Sequence, residues 1–202
     1  MLKKIFDAEN PVMQALAVVC DLLLLNLFTL LCCLPVLTAG AALAALNDVL
    51  QHMVREEGAG VFRMFFRSFR ANLRRGVPLG LIFIFAGLLI AVDYLAATAY
   101  VPSMRAAAVA VGLIVLAVSF YAFALQARFE NSVAGTLRNA LSLAIAYFPR
   151  TLGMLVFALA MWLLCIHFYR YALPVLVMFG FSLPCYINTL LLKNVLKRLE
   201  QQ

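Results

Sequence analysis

The chain has 202 residues, 66% of them hydrophobic and only 12% charged, with a formal net charge of +7. A soluble domain carries about a quarter charged residues, so this composition cannot cover a water-exposed surface and lipid is the expected solvent. Lys and Arg flank apolar runs instead of decorating a polar face, which argues against nucleic acid and for membrane topology and anionic-lipid contact.

In chain order, the first apolar run covers 12–34 and follows Lys3 and Lys4. It is longer than a secretory h-region and lacks a small-x-small cleavage site before a polar chain, so it is expected to be a retained span. Asp21 and Asn26 lie inside it. Further runs cover 77–101, 104–127, 151–169 and 172–192. Each approaches the roughly 20 apolar residues that cross a bilayer as helix, and none alternates as a barrel strand would. The expected fold is therefore all-α: a polytopic helical membrane bundle of five transmembrane helices, with amphipathic interfacial helices, forming a single membrane domain over 1–202.

The segment 38–54 leaves the span count open. Its apolar part, 39–46, is short, and Asn47, Asp48, Gln51 and His52 follow at once. It reads either as a re-entrant or interfacial helix packed on the first span, or as a short tilted sixth span. Gly40, Ala41, Ala42, Ala44 and Ala45 would let another helix approach closely. Residues 1–60 thus form an N-terminal helix pair.

Basic residues set the topology. Arg55, Arg63, Arg67, Arg70, Arg74 and Arg75 precede the second span. Arg128, Arg138 and Arg150 follow the third, and Lys193, Lys197 and Arg198 close the chain, whereas the other two connections carry only Arg105 and Arg170. These groups alternate if the basic segments and the C-terminus are cytoplasmic. The N-terminus is outside if 38–54 does not cross and inside if it does. Residues 61–130 and 132–200 also share a layout of surface helix, span, outer turn and span, with Pro78 and Pro149 in matching places. They read as an internal duplication, a device common in transporters but also found in scaffolds.

Arg63, Arg67, Arg70 and Arg74 recur at i, i+4, i+7 and i+11, which places them on one helical stripe beside Phe62, Phe66, Phe69 and Leu73. Such a helix suits the inner interface, with Phe at the acyl boundary and Arg on lipid phosphates; it equally suits docking of an anionic partner protein or phosphorylated ligand. Asp21 reads either as a proton or cation relay or as a carboxyl hydrogen-bonded to another helix. It stands five residues from Asn26, so the two are on different faces, while Asn26, Thr29 and Cys33 share one. Asp93 lies late in the second span with Tyr94 and Tyr100 and is expected in an outer aromatic belt, neutralised by Arg105 or Arg170.

The five cysteines all lie in apolar runs without paired spacing, and are expected to be free thiols. No metal site or cofactor is expected. No Gly-rich phosphate loop, HExxH or GxSxG is present, so no enzymatic activity is expected.

Phe6 with Glu9-Asn10-Pro11, then Asp21-Leu22, Asn26-Leu27, Leu34-Pro35-Val36, Thr38 and Gly40-Ala41-Ala42, resembles the YesL-like family of bacterial membrane proteins. So do Phe65–Gly76 and the segment of Asn139 and Pro149-Arg150-Thr151. The resemblance implies a multi-pass protein of the bacterial plasma membrane without an established biochemical activity. It implies an association with carbohydrate ABC transporters, hence permease subunits as partners, and it assigns no catalytic residue. The expected function is that of a non-enzymatic accessory to carbohydrate transport. The alternative is a secondary transporter or channel for a small solute, with Asp21 as the coupling acid.

Overall fold

The structure, a computed structural model, describes residues 11–55, 60–99, 104–129, 131–167 and 178–199. These residues are overwhelmingly helical, and no strand occurs among them. In order, the helices are α1 (Pro11–Cys33), α2 (Ala39–Val54), α3 (Val61–Ala99), α4 (Arg105–Arg128), α5 (Val133–Ala146), α6 (Phe148–His167) and α7 (Ser182–Leu199), with a 3-10 turn at Val36–Thr38.

Helix α1 stops just before Pro35, whose ring disfavours helical backbone in the residue ahead of it. The Thr38 hydroxyl then donates to the Cys32 carbonyl at 2.6 Å and reaches the Pro35 carbonyl at 2.9 Å, holding the 3-10 turn against the end of α1. Helix α2 folds back from this turn. Leu22 and Leu25 of α1 share a buried cluster with Ala45, Leu46, Val49 and Leu50 of α2 and with Phe65 of α3. Helix α2 is thus the hub of the bundle, packed against α1, α3, α4 and α7, and most of its length is buried. It packs on the first span as expected, and other helices enclose it. At 16 residues it is about 24 Å long, short of the ~30 Å hydrocarbon layer.

Two helices can approach this closely only where side chains are absent. A Cβ added at Gly40 of α2 would lie 2.5 Å from the Gly80 Cα, and one at Gly76 would lie 2.8 Å from the Ala41 Cα. Gly76 and Gly80 stand four apart on α3, so they form one small-residue notch that receives the start of α2. From this notch α2 runs back along the first half of α3, as the shared cluster with Phe65 shows.

Helix α3 is a single element of 39 residues, about 58 Å long, with Pro78 inside it. The sequence suggested a surface helix followed by a separate span, with Pro78 where the two meet. Instead the arginine-bearing half runs unbroken into the apolar half. Pro78 removes one N–H donor, and the tight notch of Gly76 and Gly80 lies directly beside it. The apolar half presents Phe85, Leu88, Leu89, Val92 and Leu95 outward, and its partner α4 presents Val109, Val111 and Ile114. An apolar surface of this extent belongs against lipid.

The second half of the chain behaves differently at the corresponding proline. Helices α5 and α6 meet at Tyr147 with a bend of 97°. The Ser132 hydroxyl caps α5 by accepting from Gly135 N at 3.2 Å, and Thr151 locks the bend by donating to the Ala144 carbonyl at 2.9 Å. Tyr121 of α4 bonds the Thr151 hydroxyl at 2.9 Å within the second buried cluster, which Leu125, Leu143, Met154 and Leu192 help to fill.

By length and composition, α1, α3 and α4 can each cross a membrane, and the bent α5–α6 pair would make a fourth crossing if it counts as one span. These three or four crossings are counted among the described residues alone. The last expected run, 172–192, lies partly outside the described residues, as do Tyr100 and Arg170. Helix α3 runs on through Pro78 whereas α5 and α6 bend by 97° beside Pro149, so the matching positions of the two prolines do not produce matching backbone.

Candidate functional site

Among the described residues a cleft of about 590 Å³ lies between the later turns of α2, the arginine-bearing half of α3 and the end of α4. Helix α2 contributes Asp48 and His52 to it, α3 contributes Arg67, Ser68, Asn72 and Arg75, and α4 contributes Gln126 and Arg128. Helical periodicity explains the set. Asp48 and His52 stand four apart, as do Ser68 and Asn72, so each pair faces the same way. His52 Nε2 lies 3.7 Å from Asp48 Oδ1. Asn72 Nδ2 donates to the Ser68 carbonyl at 3.0 Å and to its hydroxyl at 3.2 Å. Met64, Ala71 and Phe129 supply apolar wall.

Behind the cleft, Gln51 Nε2 crosses from α2 to donate to the Ala124 carbonyl of α4 at 3.0 Å, a buried tie that fixes the two helix ends together. Lys193 of α7 donates to the Val54 carbonyl at 3.1 Å and so caps the C-terminus of α2. Next to this network, Gln126 is only 4% exposed, and its Oε1 has no hydrogen-bond partner among the described residues. A buried acceptor left unmade typically costs about 1–3 kcal/mol.

Among the cleft's described lining residues are the guanidinium groups of Arg67, Arg75 and Arg128 and the carboxylate of Asp48.

The residues singled out from sequence fall into three places. Arg63, Arg67, Arg70 and Arg74 are all exposed on α3, and only Arg67 also lines the cleft. Their neighbouring aromatics do more than meet lipid: Phe62, Phe65 and Phe66 gather around Phe28 of α1, with ring centroids 5.4, 5.9 and 5.6 Å from it, and Phe65 is fully buried. Asn26 is fully buried, and its Oδ1 accepts from the backbone N–H groups of Phe181 and Ser182 at 2.7 and 3.1 Å. It caps the start of α7 and is a structural residue. Asp21 is half-buried on another part of α1, as the spacing required, and makes no hydrogen bond or ion pair among the described residues. Asp93 is exposed near the end of α3, and no ion pair reaches it among the described residues.

Among the described residues no three His, Cys, Asp or Glu side chains cluster as metal ligands would. Sequence reasoning had passed over Ser68, Asn72 and Gln126, and had used Arg75 and Arg128 only for topology. The available signal was the i, i+4, i+7 spacing of Ser68, Asn72 and Arg75, which continues beside the arginine stripe.

Residues 22–94 match the model of a family described as "Protein of unknown function, DUF624". The matched segment holds the Gly40–Gly76–Gly80 notch and the α2 and α3 walls of the cleft, and ends before Gln126 and Arg128 of α4. No curated protein and no solved structure matches the chain.

Proposed function

We propose that this chain is a non-enzymatic accessory protein of the bacterial plasma membrane that docks onto a transport assembly. One observation carries the reading: Arg63, Arg67, Arg70 and Arg74 are all exposed on one stripe of a helix continuous with a candidate span. A rigid extension of a membrane helix holds its charges at a fixed height and angle, which suits recognition of an acidic protein surface better than loose attraction to headgroups. The positive-inside rule places this face, and the C-terminus, in the cytoplasm.

The resemblance to YesL-like proteins supports a carbohydrate ABC transporter as the assembly and its permease subunits as the surface. In this reading the apolar half of α3 and α4 form a lipid-crossing hairpin, with α1 and the later helices completing a bundle of five or six spans.

The test is native-membrane extraction in polymer nanodiscs, followed by identification of whatever co-purifies. Replacing the four arginines by Gln should release the partner while insertion and thermal melting are retained. Isolation of the wild-type chain alone, or retention of the partner by the quadruple variant, overturns the reading.

A further inference from the structure

Helix α6 needs no contribution from α5 to cross a bilayer. It is 20 residues and about 30 Å long, which matches the hydrocarbon layer. Arg150, in its first turn, is its only Lys, Arg, Asp or Glu. Leu152, Val156, Leu159 and Leu163 are exposed along it, as on a helix that faces lipid. Transmembrane helices tilt on average about 20° from the bilayer normal. A helix bent by 97° from α6 therefore lies close to the membrane plane.

The height of α5 is set by a separate contact. Ala140, Leu143 and Ala144, on its buried face, share a cluster with Leu79 of α3 and Tyr121 of α4. Leu79 stands about 6 Å past Arg75, the last arginine of α3, where the arginine-bearing half gives way to the apolar half. The exposed surface of α5 is divided lengthwise. Leu141, Ile145 and Phe148 recur at i, i+4 and i+7 and are 46%, 70% and 64% exposed. Asn139 and Ser142 are exposed on the adjoining flank, and the exposed Arg138 stands between the two. A helix with one side on protein, one apolar and one polar suits the boundary of acyl chains and water. At the bend the Arg150 guanidinium lies 5.2 Å from the centre of the Tyr147 ring, a pairing at home among headgroups.

We infer that α5 lies flat on the inner membrane surface with lipid as its partner, and that α6 alone makes the crossing. Leu141, Ile145 and Phe148 enter the acyl boundary, Asn139 and Ser142 face water, and the Arg138 guanidinium reaches lipid phosphates. Thr151 holds the angle. Its hydroxyl donates to the Ala144 carbonyl at 2.9 Å and bonds the Tyr121 hydroxyl at 2.9 Å, which ties α5, α6 and α4 together. The inference does not depend on the docking reading and uses none of the four stripe arginines.

Single cysteines in a cysteine-free full chain are spin-labelled in vesicles of phosphatidylcholine and phosphatidylglycerol. Collisions with oxygen, which concentrates among acyl chains, are compared with collisions with a water-soluble nickel chelate. Labels replacing Leu141, Ile145 and Phe148 should share one shallow depth at which oxygen prevails. Labels replacing Asn139 and Ser142 should favour nickel. From Leu152 through Val156 to Leu159 the oxygen-to-nickel ratio should climb as α6 descends. A ratio that already climbs steadily from Leu141 to Phe148 would make the pair one broken span and overturn the inference. Nickel access at Leu141 and Ile145 would place the face in water and overturn it equally.

A second measurement identifies what covers the face. With p-benzoylphenylalanine in place of Ile145, illumination of native membranes should add the mass of one phospholipid to the chain. An adduct with a second copy, or with another protein, would mean that protein occupies the face and lipid does not.

Discussion

Asn26 of α1 caps the helix that begins at Ser182, accepting the Phe181 and Ser182 backbone N–H groups at 2.7 and 3.1 Å. The first N–H groups of a helix have no partner of their own, and here the cap comes from 155 residues away in the chain. Asn26→Leu strands both donors in a buried site and should cost about 2–4 kcal/mol, at roughly 1–3 kcal/mol for each unmade bond less the gain in apolar contact. Asn26→Asp keeps the acceptor at a helix N-terminus and should be the milder change. Thermal melting in detergent measures the loss. Proteolysis should show α7 released first in the Leu variant, and equal melting of wild type and Asn26→Leu would remove the cap from the account.

The notch at Gly76 and Gly80 makes an opposite pair of predictions for glycine. Gly40→Ala puts a methyl group 2.5 Å from the Gly80 Cα, with backbone on both sides, so the helices must part. Overpacking of this kind costs about 1–3 kcal/mol, and Gly40→Val should cost more. Gly87, in the apolar half of α3, has open space around its missing side chain. Gly87→Ala should therefore be neutral or stabilise by up to about 1 kcal/mol through helix propensity. Melting curves of the two variants should shift in opposite directions; a matched shift would mean that the notch does not set the packing.

The parts of this fold legible in the sequence were those that lipid enforces. A crossing needs about 20 apolar residues, so α1 and α4 emerge within a residue or two of the runs 12–34 and 104–127. The spacing of Arg63, Arg67, Arg70 and Arg74 likewise gives one exposed face directly. What stayed hidden depends on contacts distant in sequence. Pro78 stands where a surface helix was expected to meet a span, yet α3 runs through it with α2 packed against Gly76 and Gly80. At Pro149, where a surface helix was expected to meet a span, the chain does break, and what the sequence did not show is that the Thr151 bonds brace a 97° bend there. Asn26 looks like a polar residue in search of a role until Ser182 is beside it, and Gln126 disappears inside an apolar run until α2 and α3 enclose it.

Asp21 makes no hydrogen bond or ion pair among the described residues, so removing its charge should disturb little. Asp21→Asn is expected to melt within about 0.5 kcal/mol of wild type, the usual range for a substitution away from special features. In proteoliposomes, Asp21→Asn should also leave any proton-coupled flux of the wild type unchanged, since no described residue hydrogen-bonds or ion-pairs with Asp21. Flux that is present in the wild type and lost in this variant would restore Asp21 as a coupling acid and would favour the transporter reading.

The continuity of α3 predicts two zones of solvent access along one rigid rod. A guanidinium facing acyl chains costs about 2.5–3.5 kcal/mol at the centre of a span, so five arginines between Arg63 and Arg75 would cost well over 10 kcal/mol at that depth. The first half of α3 must therefore face water or headgroups, and the half bearing Phe85, Leu88 and Val92 must face lipid. Single cysteines introduced into a cysteine-free background test this directly. Arg70→Cys should react with a membrane-impermeant maleimide in inside-out vesicles and not in right-side-out ones, whereas Leu88→Cys should resist the reagent in both. Helix α2 runs beside the first half, so Arg55→Cys, just past its end, should label on the same side as Arg70→Cys. Labelling of Arg55→Cys and Arg70→Cys from opposite sides would break the antiparallel packing of α2 on α3, and with it the cleft that the two helices form.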